Sequence, residues 1–274
     1  MIVDYHMHLR DRHGDEPGGR YTLDRLERHV DAARAAGVDE IGITDHAYHF
    51  RQTESLWNLP WLLNRGGDDL EEYVAAIEEG KQAGLPVKLG IEMDWFAGLG
   101  DGIAEMLAPY PWDYVLGSIH FIGELAVDQD PALVDAVPLD EAWRAYFDTF
   151  AEAARSGIFD VLSHPDLVKF YGQRADASIV EELHDQAATA AAEGGVALEV
   201  STAGLQKPVG ELYPDVSLLR AARGREVPIT LAADAHLPEE VGRDIELAVA
   251  LAREAGYETV TVFDGRTGRQ EPLG

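Results

Sequence analysis

The sequence predicts an α/β protein built as a parallel (β/α) barrel, and three observations carry that expectation. Apolar strand-like runs alternate with amphipathic helical stretches along the 274 residues. At least seven such units of similar size follow one another, which suits a barrel better than the runner-up, a doubly wound open sheet. Polar residues recur where strands end and loops begin. A barrel gathers all its strand ends on one face, whereas an open sheet gathers only those near its switch point.

The strand candidates, in order, are MIVDYHMH (1–8), EIGITDH (40–46), PVKLGIEMDW (86–95), WDYVLGSIHF (112–121), FDVLSH (159–164), GVALEVST (195–202) and PITLAADAH (228–236). A last run, ETVTVFD (258–264), is a candidate to close the series. Helical patterns lie between them. Residues 22–37 start on a Thr cap, place Leu23, Leu26, Val30 and Ala33 on one face, and stop at Gly37. Residues 68–84, 139–157, 177–195 and 244–256 behave likewise. No low-complexity linker divides the chain, so residues 1–274 read as one domain.

Composition narrows the chemistry. There are no cysteines, which excludes disulfides, thiolate metal sites and cysteine nucleophiles. The first residues turn polar almost at once, and no apolar run is long enough to span a bilayer. The expectation is a soluble, cytoplasmic protein without membrane contact. A formal net charge of −28 argues against sequence-independent binding to nucleic acid, which needs a basic footprint. It leaves room for a small anionic substrate, because surface charges are screened over about 8 Å at physiological salt.

The strand ends carry the functional signal. His6 and His8 alternate on the first strand and so face the same way. The second ends in Asp45 and His46, the third in Glu92 and Asp94, the fourth in His120, the fifth in His164 and Asp166. The sixth gives Glu199, Ser201 and Thr202, and the seventh Asp234 and His236. Six of the ten histidines therefore fall at one end of one barrel. Chance core histidines explain such a set poorly, and a metal site explains it at once. Imidazole and carboxylate without thiolate suit a catalytic centre of Zn, Mn or Fe. Because a single catalytic zinc takes about three protein ligands, the set calls for two or three divalent ions, with a carboxylate such as Glu92 bridging a pair.

The stretches DYHMH, TDH, GIEMDW, GSIHF, SHPDLVKF and AADAH resemble, in this order, the PHP (polymerase and histidinol phosphatase) family. STAGLQKPVGELYP (201–214) is most similar to the monofunctional histidinol-phosphate phosphatases. The resemblance implies a distorted seven-unit (β/α)7 barrel and a trinuclear centre. It implies one ion held by His6, His8, Glu92 and Asp234, and a second sharing Glu92 and adding His120 and His164. A third would take His46, His236 and His13, with Asp11 or Asp15 as substitutes for the last. Family members often carry Asn at the Ser201 position and Arg, a phosphate anchor, at the Gln206 position.

The resulting expectation is hydrolysis of a phosphate monoester, L-histidinol phosphate in histidine biosynthesis, by attack of a metal-bridging hydroxide. Catalysis should then depend on Glu92, Asp234 and His236. Lys169, Arg174, Lys207 and Arg20 are candidate phosphate contacts, although loop cations of this kind also serve only the fold. Asp166, Asp94 and His49 are candidate proton donors to the leaving alkoxide. Asp45 is expected to orient a ligand ring, and Asp4 either to do the same or to form a buried ion pair. Trp57 and Trp61 could wall the pocket, and His29 and His184 are expected on the surface. The alternatives are a PHP enzyme acting on another small ester or nucleotide, an amidohydrolase, and a non-enzymatic metal-binding protein. The sequence leaves the oligomeric state open, a homo-oligomer included.

Overall fold

The computed structural model describes residues 1–10, 19–57, 59, 62, 65–129 and 137–274. The candidates His13, Asp11, Asp15 and Trp61 lie outside them.

Short parallel strands form a closed ring. One sheet joins β1 (Val3–Asp4), β2 (Glu40–Ile43) and β3 (Val87–Leu89). The other runs from β4 (Glu92–Asp94) through β5 (Leu116–Ser118), β8 (Val161–Leu162) and β9 (Ala197–Ser201) to β10 (Ile229–Ala232). Between β5 and β8 sits a small hairpin of β6 (Phe121–Ile122) and β7 (Leu125–Ala126). Backbone bonds close the ring on both sides. The amides of Tyr5 and His8 donate to Leu231 and Ala235 at 3.0 and 2.8 Å. Those of Gly90 and Glu92 donate to Ile43 and Asp45 at 2.9 and 3.2 Å. β3 and β4 occupy successive parts of one position, so the barrel has seven.

The run expected as one third strand is therefore broken. β3 pairs with β2 and β4 pairs with β5, with Gly90 and Ile91 between. A Cβ on Gly90 would come within 3.0 Å of the Tyr114 ring, Thr44 and the Ile43 carbonyl. A Cβ on Gly42 would collide with the Tyr114 hydroxyl. Tyr114 fills the lower barrel, stacked on Tyr5 at 5.0 Å and donating its hydroxyl to the Tyr5 carbonyl at 2.7 Å.

The last run does not become an eighth barrel strand. β11 (Thr259–Asp264) turns at Gly265 and Arg266, both with positive φ, and pairs antiparallel with β12 (Thr267–Pro272). The hairpin lies across the N-terminal ends of the barrel strands. Phe263 stacks on Tyr114 at 5.6 Å, and the Arg266 amide donates to the Asp113 carbonyl. One end of the barrel is thus filled by aromatic rings, which leaves the opposite end for polar groups.

The expected helices form at Leu23–Ala35, Leu70–Gln82, Leu139–Arg155, Ala177–Gly194 and Ile245–Glu254. The Thr22 hydroxyl accepts from the Arg25 amide, as its cap position requires. Shorter helices at Gly100–Leu107 and Val216–Arg223 fill out two further units. Among the described residues, no helix is long and apolar enough to cross a membrane. His29 and His184, expected on the surface, are buried. His29 donates through Nδ1 to the Arg25 carbonyl one turn back, at 2.8 Å. His184 packs 5.6 Å from the Phe147 ring of the preceding helix, its Nδ1 2.7 Å from the Ser217 hydroxyl. Among the described residues, Asp4 neither orients a ring nor forms an ion pair. Its carboxylate accepts the amides of Ala233 and Gly242 at 2.9 and 2.8 Å, tying the first strand to the last.

Candidate metal centre

The C-terminal ends of six of the seven barrel positions bring together His6, His8, His46, Glu92, His120, His164, Asp234 and His236. Glu92 stands in the middle and is fully buried. Its Oε2 lies 3.2 Å from His6 Nε2, 2.6 Å from His46 Nδ1 and 3.7 Å from His8 Nε2. Its Oε1 lies 3.4 Å from His120 Nε2 and 3.3 Å from His164 Nε2, and accepts from the Ser118 hydroxyl at 2.7 Å. Asp234 Oδ1 approaches His8 Nε2, His236 Nδ1 and His6 Nε2 at 3.3, 3.6 and 3.8 Å. His164 and Asp234 hold positive φ angles of 28° and 53°, rare for non-glycine residues, so the local backbone is strained where these side chains are aimed.

The groups fit divalent ions. Potential ligand atoms gather within 4.8 Å of one another in four overlapping sets: His6–His8–Asp234, His6–Glu92–His164, His46–Glu92–His120 and His8–His46–His236. His6 Nε2, His46 Nδ1 and Glu92 Oε2 are buried without a hydrogen-bond partner, an arrangement that costs free energy unless something else binds them. The far sides of several rings are held. His6 Nδ1 donates to Glu199 at 2.8 Å and His120 Nδ1 to Asp94 at 2.8 Å. His8 Nδ1 lies 3.6 Å from Asp45, which also accepts the Arg10 amide at 3.3 Å. A carboxylate behind an imidazole fixes its tautomer and turns the other nitrogen toward an ion.

The electrostatics agree with this division. Burial works against charge on Glu92, yet His46, His6 and His120 hold its carboxyl well below the usual range. Asp234 is held down in the same way by His6 and His8. Burial depresses His46, and its neighbour His8 adds to that effect. His120 moves the other way. Burial opposes its charge, but Asp94 and Glu92 outweigh it and raise the imidazole to about 10.

These side chains open into a cavity of about 620 Å³. Lys207 and Arg20 line it, as do Arg10 and Arg65, which sequence reasoning did not single out. Arg10 and Arg20 both pair with Asp68, so two loops deliver their cations to one edge. Lys169 and Arg174 require a correction. Lys169 is buried and off the cavity, its ammonium donating to Asp166 at 2.9 Å and to the Leu212 carbonyl at 2.8 Å. Arg174 pairs with Glu211 at 2.5 Å. Lys169 is satisfied by Asp166 and Leu212 and Arg174 by Glu211, and neither lines the cavity.

The candidate proton donors are similarly placed elsewhere in the network. Asp166 is paired with Lys169 and accepts the Asp215 amide at 2.8 Å, and Asp94 is engaged with His120. His49 lines the cavity, but burial and His46 push it down to about 2. Its Nδ1 donates to the Arg65 carbonyl at 3.2 Å, so it presents an acceptor to the cavity rather than a proton. Trp57 lines a neighbouring apolar cleft instead. Glu199 was visible as a strand-end carboxylate, but its role depends on a partner 193 residues away.

The profile of the PHP domain matches residues 21–203. A Deinococcus radiodurans protein named a probable histidinol-phosphatase is 36% identical over 258 residues, covering 92% of this chain and 96% of that one. The chain belongs to the PHP domain family. A second similar PHP protein, from Thermotoga maritima and also named a probable histidinol-phosphatase, is 26% identical and covers 97% of each chain. A crystal structure of histidinol phosphate phosphatase from Lactococcus lactis, complexed with zinc, L-histidinol and phosphate, covers 98% of both chains with a TM-score of 0.78 at 23% identity. At that identity the likeness is one of fold, and this PHP chain shares the distorted α/β barrel.

Proposed function

We propose that this PHP protein is a phosphoric monoester hydrolase that converts L-histidinol phosphate and water to L-histidinol and phosphate in histidine biosynthesis. The observation that carries the reading is Glu92 enclosed by imidazoles on both oxygens, with the outer nitrogens of His6 and His120 held by Glu199 and Asp94, beneath a cavity edged by arginine and lysine. The names of the similar PHP proteins and the ligands of the Lactococcus structure support the choice of substrate. The same reading places the enzyme in the cytoplasm, without membrane or nucleic-acid partners.

His6, His8, Glu92 and Asp234 would hold one ion, Glu92, His120 and His164 a second, and His46 and His236 a third. The ligand types suit Zn, Mn or Fe. Bound ions supply Lewis acidity toward phosphoryl oxygens and lower the pKa of water to about 7. The chain's own residues do the rest. Glu199, Asp94 and Asp45 keep the rings aimed, and Arg10, Arg20, Arg65 and Lys207 attract the dianionic phosphoryl group to the cavity.

One departure favours keeping a second substrate class in view. Gln206, where related enzymes often place an arginine, lies 3.4 Å from Asp244 and contributes no cation. The test is phosphate release from L-histidinol phosphate, p-nitrophenyl phosphate and nucleoside monophosphates, with protein loaded separately with Zn, Mn and Fe. The expected result is a kcat/KM for L-histidinol phosphate well above the others. Preference for a nucleotide would overturn the substrate, and no hydrolysis with metals bound would overturn the activity.

A further inference from the structure

The cavity carries a carboxylate outside its imidazole cluster. Glu92 and Asp234 belong to the imidazole cluster, but a third carboxylate, Asp128, lines the same cavity. Asp128 is half-buried. Its carboxylate accepts from the neighbouring Gln129 amide at 3.1 Å, and among the described residues no arginine, lysine or histidine pairs with it. Its place is fixed by backbone bonds. The Val127 amide donates to the His120 carbonyl at 2.9 Å, and the Tyr171 hydroxyl donates to the Asp128 carbonyl at 3.3 Å. Tyr171 packs on Phe170 at 4.8 Å, and Phe170 and Phe121 also line the cavity.

A carboxylate facing a site built to receive a phosphate dianion works against anion binding unless it has a cation to meet. From this placement we infer that Asp128 is a specificity-determining residue, which selects phosphate esters whose leaving alcohol carries an organic cation. The inference rests on the proposed phosphatase reading and sharpens it. The phosphoryl group faces the imidazole cluster and the arginines, while the cationic part of the alcohol meets Asp128, with Phe121 offering a ring face to it. An ester with a neutral alcohol gains nothing from Asp128. One with a further anion is repelled, and a nucleoside monophosphate, whose alcohol is neutral, gains nothing.

The test compares the metal-loaded wild type with Asp128→Asn and Asp128→Glu on three esters. The alcohols of L-histidinol phosphate and O-phosphoethanolamine carry an ammonium group, and that of p-nitrophenyl phosphate carries no cation. In Asp128→Asn, KM for both cationic esters should rise about tenfold, the size of one charge-assisted hydrogen bond. Its kcat/KM for p-nitrophenyl phosphate should equal or exceed that of wild type, since the variant removes a negative charge that opposes the phosphate dianion. Asp128→Glu should keep the cation preference. Inhibition of p-nitrophenyl phosphate hydrolysis by L-histidinol should weaken in Asp128→Asn by a similar factor. An unchanged ratio of cationic to neutral ester would overturn the role of Asp128, whatever the physiological substrate. Wild-type enzyme that hydrolyses O-phosphoethanolamine but not L-histidinol phosphate would overturn the proposed substrate while leaving the Asp128 comparison intact.

Discussion

Both carboxylate oxygens of Glu92 face imidazole nitrogens, His6 and His46 on one side and His120 and His164 on the other. Replacing it by Gln keeps the volume but removes the charge and puts an amide against histidine nitrogens. We expect Glu92→Gln to lower kcat at least about a hundredfold and to lower the metal content, with far-UV circular dichroism unchanged. Wild-type turnover at full metal content would contradict the bridging role. At this scale the sequence was most legible where a residue's place depends on local periodicity. His6 and His8 declare themselves by alternating on one strand, and Asp234 and His236 repeat the spacing. Lys169 was misread because its fate depends on Asp166 and on the carbonyl of Leu212, 43 residues later. Asp166 is a local partner, three residues earlier, but no local pattern announces the contact with Leu212.

Among the elements, the barrel strands were legible as apolar runs bounded by turns, but the division of the third was not. Gly90 interrupts it because Tyr114, from the next barrel position, occupies the space a side chain would need. The final hairpin did carry a local signal, Asp264 and Gly265, which mark a tight antiparallel turn, although the run after them, TGRQEP, is polar throughout. Competition from the repeating strand–helix pattern hid it. The hairpin places Phe263 against Tyr5 and Tyr114, at the end of the barrel opposite the histidines. We therefore expect Phe263→Ala to destabilise the fold by ~3 kcal/mol in denaturant unfolding, with kcat of the folded enzyme unchanged. A loss of kcat matching Glu92→Gln would show that the two ends of the barrel are coupled rather than separate.

Across the whole molecule, the barrel is what turns dispersed residues into one site. The side chains around Glu92 come from positions as far apart as His6 and His236, and only ring closure between the first and last strands brings these two together. The net charge of −28 describes the exterior, whereas the cavity is edged by arginine and lysine over a floor suited to cations. The average charge thus says little about the sign of the site. Anomalous X-ray scattering from crystals of the metal-loaded protein tests this arrangement most directly. The account requires two or three ions side by side within the cluster, with Glu92 contacting more than one of them. Absence of any ion between these side chains with metal supplied in excess, or a single ion bound away from Glu92, would contradict it.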